Sequence, residues 1–268
     1  MIDVALIGNG GIAADALRAL RALPESSRIR IVGVLARPGR ANAARERLGD
    51  VPVVEAIEPL IARRPQIIAE VAGQGAVHAF GEAVLENGID LVVVSIGALA
   101  EASLLERLRA AARRGEARLL LPAGAIGGID AIAAMRLGGL YAVRYRSVKP
   151  PAAWRGSPAE KLADLDRLAK RTLLYEGSAR EAALGFPQNA NVAATVAIAG
   201  LGFEATRVEL IADPDAQGNI HEIEAEGATG RVAIRLQGKP SATNPKTSAL
   251  TALSVARTLA NAAASIVI

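Results

Sequence analysis

The chain opens with Met1-Ile-Asp-Val-Ala-Leu-Ile-Gly-Asn-Gly-Gly-Ile-Ala13, an apolar run that stops at a cluster of glycines. Residues 8–13 read Gly-x-Gly-x-x-Ala, and apolar residues at helical spacing follow up to Leu23. A strand, a glycine turn and a helix in this order are typical of a dinucleotide-binding segment, because the turn lets a pyrophosphate approach the backbone and the helix N-terminus offers N–H groups. The alternative is a glycine-rich turn without a ligand. We predict that a nucleotide contacts four residues of the turn: Gly8, Gly10, Gly11 and Ile12.

The composition predicts the number of domains and excludes several kinds of site and partner. A chain of 268 residues fits two modest domains, and with 51% hydrophobic but only 3% aromatic residues its core must be aliphatic. The absence of cysteine excludes disulfides, thiolate metal sites and a cysteine nucleophile, and it fits a reducing cytoplasm. We find no metal-ligand spacing, no leader and no apolar run of membrane-span length. Because the net charge is only +4 and aromatic residues are few, we expect neither a nucleic-acid nor a membrane partner.

Strands and helices alternate over residues 1–123, and each strand is nearly all apolar. This pattern predicts a Rossmann domain, a doubly wound α/β fold whose parallel sheet is covered on both faces. Ligands of such sheets bind at the carboxyl ends of the strands. We therefore predict further cofactor contacts at Ala72 and Ser95, where two of the strands end.

From residue 124 to about residue 240 the strands alternate between apolar and polar residues instead. This change predicts a second α+β domain with a mostly antiparallel sheet. Within it, Ser157-Pro-Ala-Glu160 has the pattern of a capping box and predicts a helix that continues to about Arg171. An apolar helix from about Ala249 to Ala264 follows this sheet. We expect it to pack back on the first domain, which then comprises residues 1–123 and about 241–268.

Arg37 stands at the end of the second strand, where NAD-specific Rossmann domains carry an acidic residue that binds the ribose hydroxyls. An arginine at this place can bind a 2′-phosphate and stack on adenine. We therefore expect NADP to be accepted, alone or beside NAD. The alternative is a loop arginine that only contacts solvent.

The chain has only two histidines, His78 and His221, and histidine is the commonest general acid or base near neutral pH. A turn-forming loop delivers His221 to the start of a strand, on the face that also carries Ile223 and Ala225. A catalytic role for His221 competes with that of a core or interface residue. His78 begins a helix, and a structural role is the favoured interpretation.

Two helix N-termini carry polar residues that could bind a small anionic substrate. Asn189 and Asn191 flank one of them, where one asparagine caps the helix and the other could bind the nicotinamide amide or the substrate. Lys246, Thr247 and Ser248 stand at the other, a geometry that suits a carboxylate but also ordinary capping. We predict substrate contacts at Asn191 and at these three residues.

Five motifs, in the same order along the chain, resemble the L-aspartate dehydrogenase family. They are Gly8-Asn-Gly-Gly-Ile-Ala13, Ala123-Gly-Ala-Ile-Gly-Gly128, Phe186-Pro-Gln-Asn-Ala-Asn-Val-Ala-Ala194, Gly218-Asn-Ile-His-Glu-Ile223 and Asn244-Pro-Lys-Thr-Ser-Ala-Leu-Thr-Ala252. The resemblance implies NAD(P)-dependent oxidative deamination of L-aspartate through iminoaspartate to oxaloacetate and ammonia, or the reverse, and it links iminoaspartate to NAD biosynthesis. It places the active-site histidine on His221 and nucleotide contacts on Ala125 and Asn191, and it implies a homodimer.

Two other interpretations stay open at the level of sequence. Another two-domain NAD(P) oxidoreductase, of the homoserine dehydrogenase or dihydrodipicolinate reductase type, would share the glycine turn but does not predict the motif around His221. A nonenzymatic NAD(P) sensor would bind the nucleotide and turn over nothing.

Overall fold

The computed structural model describes residues 1–187, 191–241 and 247–267. The chain divides into two compact units. The first comprises Met1–Ala98, Ala102–Gly124 and Thr251–Ile268, and the second comprises Leu99–Glu101 and Ala125–Leu250. The domain limits inferred from the sequence, near residues 123 and 241, stay a prediction.

The first unit contains a six-stranded parallel sheet with helices between its strands. The strands are β1 (Ile2–Ile7), β2 (Ile29–Leu35), β3 (Val53–Val54), β4 (Ile67–Glu70), β5 (Asp90–Val93) and β6 (Leu119–Leu120). The helices are α1 (Gly11–Arg21), α2 (Ala41–Leu48), α3 (Ile57–Ile61), α4 (Gln74–Glu86) and α5 (Ala102–Gly115), with α5 following a 3₁₀ turn over Ile96–Ala100. The strand order β3-β2-β1-β4-β5-β6 is that of a Rossmann domain and confirms the predicted fold class of this half.

The second unit contains a five-stranded sheet of order β11-β10-β7-β9-β8. Its strands are β7 (Leu140–Lys149), β8 (Thr172–Ser178), β9 (Arg207–Ala212), β10 (Asn219–Gly227) and β11 (Gly230–Gly238). Its helices are α6 (Ile129–Gly138), α7 (Ala179–Gly185), α8 (Asn191–Ala199) and α9 (Gly202–Ala205). Only the β7–β9 pair is parallel among the described strand pairs of this sheet, which confirms the prediction of a mostly antiparallel sheet.

The last helix, α10 (Ala249–Asn261), joins the apolar core of the first unit, as its sequence predicted. Val255 and Leu259 are fully buried there together with Val4 and Leu6 of β1. Apolar burial of this kind contributes about 1.5–3 kcal/mol for each large aliphatic side chain.

The predicted helix from Ser157 to Arg171 is wrong. The structure has a 3₁₀ helix over Pro158–Lys161, where the Ser157 hydroxyl accepts a hydrogen bond from the Ala159 N–H. Beyond it the Asp164 carboxylate accepts from the Asp166 N–H at 3.2 Å, a local side-chain bond that competes with helix formation. The predictions also omitted β8, whose last residue Ser178 forms the true capping box with Glu181.

Candidate functional site

The glycine turn has the geometry that a pyrophosphate requires. Gly8 adopts φ +109°, and a Cβ on it would lie 2.9 Å from the Ala72 Cβ, so the turn tolerates only glycine at this position. A Cβ on Gly10 would meet nothing within 4 Å, and α1 begins at the next residue. The first N–H groups of a helix have no acceptor within the helix. The open side of Gly10 and the start of α1 therefore fit a phosphate group.

A cavity of about 430 Å³ opens beside this turn. It is lined by Ile7, Gly8, Asn9, Gly10, Leu35, Ala36, Arg37, Pro38, Arg47, Glu55, Val71, Ala72, Gly75, Ala76 and Phe80. Four of the predicted cofactor contacts thus line one cavity in the first unit: Gly8, Gly10, Ala72 and the exposed Arg37. Sequence reasoning missed Arg47, whose guanidinium donates to the Asn9 carbonyl at 3.3 Å, because its place in the last turn of α2 gives no motif.

Glu70 is fully buried where β4 ends, and its carboxylate holds two neighbouring loops in place. It accepts the Ala72 and Gly73 N–H groups at 2.7 Å each, and the Ser95 N–H and hydroxyl at 3.0 Å each. Burial raises the pKa of the Glu70 carboxyl, while these four donated hydrogen bonds act in the opposite direction. The loops after β4 and β5 are therefore fixed to a common carboxylate.

This arrangement changes the interpretation of the loop residues. Ser95 is buried, its hydroxyl donates to Glu70, and it does not line the cavity, so its predicted cofactor contact stays a prediction. Ala72 lines the cavity through the same loop. The signal that sequence reasoning overlooked is the single acidic residue in the apolar run Ile67-Ile-Ala-Glu-Val71.

In the second unit, four polar side chains share one buried face of the sheet. Tyr145, Ser147 and Lys149 alternate along β7, and His221 of β10 is the direct cross-strand partner of Ser147. All four are buried, next to the apolar Ile223 on the same face. Burying four polar side chains on one face is costly, so this row is a candidate functional site.

His221 is the centre of this polar row. Its Nδ1 atom lies 2.7 Å from the Tyr145 hydroxyl oxygen, and the two rings stack with centroids 6.0 Å apart. Burial and, to a lesser extent, the charge of the neighbouring Lys149 together lower the pKa of His221 to about 3. At neutral pH the free protein therefore holds His221 as a neutral imidazole.

Lys149 supplies the positive charge of the polar row. Its ammonium lies 4.9 Å from the centre of the Trp154 ring, a cation–π arrangement, and burial lowers the pKa of this lysine to about 8. Arg146, a second cation of β7, belongs to the opposite face, where it pairs with Glu209 at 2.9 Å and Glu224 at 3.0 Å. Of these two cations, only Lys149 lies on the face of His221.

The remaining predicted residues of the second unit lie at three places. Ser248 is buried against Gly238, which pairs with Asn219 at the start of β10. The Ser248 hydroxyl accepts a hydrogen bond from the Leu250 N–H at 3.3 Å and so caps a helix. Thr247 precedes it, and its carbonyl accepts from the Ser241 N–H at 2.7 Å. Asn191 is the first residue of α8, and Ala125 is buried between β6 and α6. The predictions for Asn189 and Lys246 fall outside the described residues.

Protonation of His221 should make the fold sensitive to acid. Because its pKa is about 3 when folded and about 6.5 when unfolded, the unfolded chain binds more protons within this window. The contribution of neutral His221 to the free energy of unfolding is therefore fully present above the pKa that His221 has in the unfolded chain, and it is lost as the pH falls. We expect a loss of about 2 kcal/mol between about pH 7 and about pH 5. Lys149, with a pKa of about 8, keeps its charge throughout this range.

Urea titrations followed by the fluorescence of Trp154, the single tryptophan, measure this loss in the second unit. The matched variant is His221→Asn, which lacks the titrating group but leaves all others, including Glu70, in place. The quantity compared is the change in unfolding free energy between the two pH values. Equal changes in the wild type and in His221→Asn would contradict the expected effect.

Among the residues that the structure describes, no group of three or more His, Cys, Asp or Glu side chains could hold a metal ion. None of the helices in the described part combines the length and apolar character that a membrane span needs.

The chain is similar to known proteins over its whole length. Residues 130–262 match the family model of the aspartate dehydrogenase C-terminal region, and residues 8–122 match that of the homoserine dehydrogenase NAD binding domain. L-Aspartate dehydrogenase of Ralstonia nicotianae is 49% identical over 263 residues and covers 98% of each chain. The enzyme of the same name from Pseudomonas aeruginosa is 46% identical over 264 residues, 97% of each chain. The crystal structure of aspartate dehydrogenase from Thermotoga maritima aligns with a TM-score of 0.78 at 26% identity, covering 100% of this chain and 99% of that one.

Proposed function

Because this chain belongs to the L-aspartate dehydrogenase family, we propose that it catalyses the NAD(P)-dependent oxidative deamination of L-aspartate. The family membership confirms the resemblance found in the sequence, and the NAD binding domain match confirms a pyridine nucleotide as the cofactor. The observation that carries the proposal is the whole-length similarity to L-aspartate dehydrogenases. The glycine turn, which fits a pyrophosphate, and the buried His221, a candidate for proton transfer, support the proposal.

The reaction removes two electrons and the amine from Cα. Hydride leaves Cα for the nicotinamide, the chemistry that the bound cofactor supplies, and one proton is released as iminoaspartate forms. Water then adds to the C=N bond, and ammonia leaves to give oxaloacetate. In the first unit, the open side of Gly10 and the N-terminus of α1 would hold the pyrophosphate.

We assign the proton transfers to His221. The substrate amine must lose a proton before hydride can leave, and a neutral imidazole can accept one at Nε2, the ring nitrogen that does not face Tyr145. The low pKa of the free protein's His221 makes it a weak base, and the two negative carboxylates of a bound aspartate would raise it. The substrate thus contributes to the basicity of the group that deprotonates it.

The two carboxylates of aspartate need cationic or N–H partners. Lys149 is buried on the face of His221, and Ser248 lies at the same end of the sheet, opposite the start of β10. Thr247, Asn191 and Lys246 remain proposed contacts from the sequence. Arg146 is not proposed, because its guanidinium pairs with Glu209 and Glu224.

The direct test is formation of reduced nicotinamide, followed by its absorbance, with L-aspartate and either NAD or NADP. L-Homoserine serves as the competing substrate, because the nucleotide-binding half also matches homoserine dehydrogenase. Oxidation of aspartate in preference to homoserine supports the proposal, whereas the reverse preference supports the alternative enzyme. Tight nucleotide binding without turnover of any amino acid would favour a sensor.

Arg37 is proposed to make NADP acceptable. A guanidinium bound to the 2′-phosphate contributes a charge-assisted hydrogen bond, so Arg37→Ala should lower kcat/KM for NADP by about tenfold and change that for NAD by less than about twofold. The matched control is Arg40→Ala, because Arg40 is equally exposed but does not line the cavity. A wild-type enzyme without NADP turnover, or equal losses with both nucleotides, would refute this role of Arg37.

We also propose that the enzyme is a cytoplasmic homodimer. The cysteine-free composition fits a reducing compartment, and the family resemblance implies the dimer. The substrate and product of the proposed reaction, aspartate, oxaloacetate and ammonia, are small and soluble.

A further inference from the structure

The Tyr145–His221 hydrogen bond controls which ring nitrogen of His221 carries a proton. If the phenol donates to Nδ1, a neutral imidazole must carry its proton on Nε2. If Nδ1–H donates to the phenol oxygen, Nε2 has a free lone pair and can act as a base. The 2.7 Å contact joins the same two atoms in both states, so another group must decide between them.

Ser147 is placed to be that group. In the described part of the chain its buried hydroxyl makes no well-formed hydrogen bond, which is uncommon for a fully buried polar atom, yet it lies close enough to the Tyr145 hydroxyl to act on the pKa of that phenol, in the lowering direction. It lies two residues from Tyr145 on the same face of β7 and directly across from His221. A phenol that accepts from Nδ1–H must donate its own proton elsewhere, and the Ser147 oxygen is an acceptor on that face.

We propose that Tyr145 and Ser147 are positioning residues that let His221 present either a proton or a lone pair at Nε2. In one state Tyr145 donates to Nδ1 and the His221 proton is on Nε2. In the other, Nδ1–H donates to Tyr145, the Tyr145 hydroxyl donates to Ser147, and Nε2 is unprotonated. In the conversion from the first state to the second, Nε2 releases its proton to water, the Tyr145 hydroxyl turns to Ser147, and Nδ1 takes up one proton from water, so the net charge is unchanged.

The second state is the one that catalysis uses, and this part of the inference rests on the proposed function. When Nε2 accepts the proton of the substrate amine, both ring nitrogens carry protons and Nδ1–H must donate. The Ser147 oxygen then accepts a hydrogen bond from the Tyr145 hydroxyl, so no buried donor is left without an acceptor. Without Ser147, the protonated form of His221 would leave the Tyr145 hydroxyl unsatisfied.

The test is nitrogen-15 NMR of histidine-labelled protein, in which protonated and unprotonated ring nitrogens resonate far apart. Only two histidines are present, and a His78→Gln variant assigns the signals of His221. In Ser147→Ala we expect the equilibrium to move toward the Nε2–H form by about fivefold, the equivalent of one net hydrogen bond. Ser147→Thr keeps the hydroxyl and should keep the wild-type ratio. When Tyr145→Phe is also present, the tautomer ratio of His221 should be the same with serine and with alanine at position 147.

Kinetics provide the second readout. Ser147→Ala should lower kcat for aspartate by about fivefold to tenfold without changing the KM for the nucleotide, and Ser147→Thr should restore it. Identical His221 spectra in wild type and Ser147→Ala, with both proteins folded by circular dichroism, would overturn the proposal. A tautomer shift in a protein that does not oxidise aspartate would instead uphold the control of His221 and refute the proposed function.

Discussion

Replacing His221 with alanine is expected to lower the turnover of L-aspartate by roughly two to four decades, the usual cost of losing a general acid or base. The physical reason is that His221 is the only histidine of the second unit and the centre of its buried polar row. The affinity for the nucleotide should be unchanged, because the glycine turn and the cavity beside it belong to the first unit.

Steady-state rates of nicotinamide reduction measure the first effect, and titration with the reduced nucleotide measures the second. His78→Gln is the matched control, because His78 is exposed on α4 and carries no proposed role in proton transfer. His221→Asn keeps a polar side chain and separates the loss of the acid or base from the loss of volume. Normal turnover of aspartate by the folded His221→Ala protein would show that the assignment is wrong.

The fold of the first unit could be predicted because the strands of a parallel sheet, buried on both faces, are continuous apolar runs. β8 escaped prediction for a specific reason. Its two leucines are adjacent but point to opposite faces, so Leu173 is 52% exposed while Leu174 is 8% exposed, and a register shift lies between Leu173 and Tyr175. Adjacent apolar residues on opposite sides of an irregular edge strand do not produce a period of two.

The residues of the candidate site also differ in whether the local sequence pattern predicts their roles. The glycine turn and the placement of His221 on an apolar face follow from patterns within a few residues. The roles of Glu70 and Tyr145 do not, because Glu70 also binds Ser95, 25 residues away, and Tyr145 binds His221, 76 residues away in the sequence. Hydrogen bonds of this kind depend on strand register, which no local period specifies. Sequence reasoning could only have marked Glu70 and Tyr145 as polar residues on otherwise apolar faces.

Gly10 offers the sharpest test of the nucleotide site, because its replacement should affect binding without affecting the fold. Its φ of −78° suits alanine, and the added Cβ would meet nothing within 4 Å in the protein. The unfolding free energy of Gly10→Ala should therefore stay within about 0.5 kcal/mol of the wild type. The same methyl group would occupy the space that the pyrophosphate needs, so we expect the nucleotide Kd to rise by about tenfold to a hundredfold.

Variants at two other glycines serve as comparisons for Gly10→Ala. Gly8→Ala forces a positive φ and a 2.9 Å contact with Ala72, so it should lose about 1–3 kcal/mol of stability as well as affinity. Gly185→Ala, at an open position without positive φ in the second unit, should change neither quantity. Fluorescence titration with the reduced nucleotide and urea unfolding measure both quantities for all three variants. Wild-type affinity in Gly10→Ala would mean that the phosphates do not bind at this turn, because no other effect of the substitution could offset a methyl group in their place.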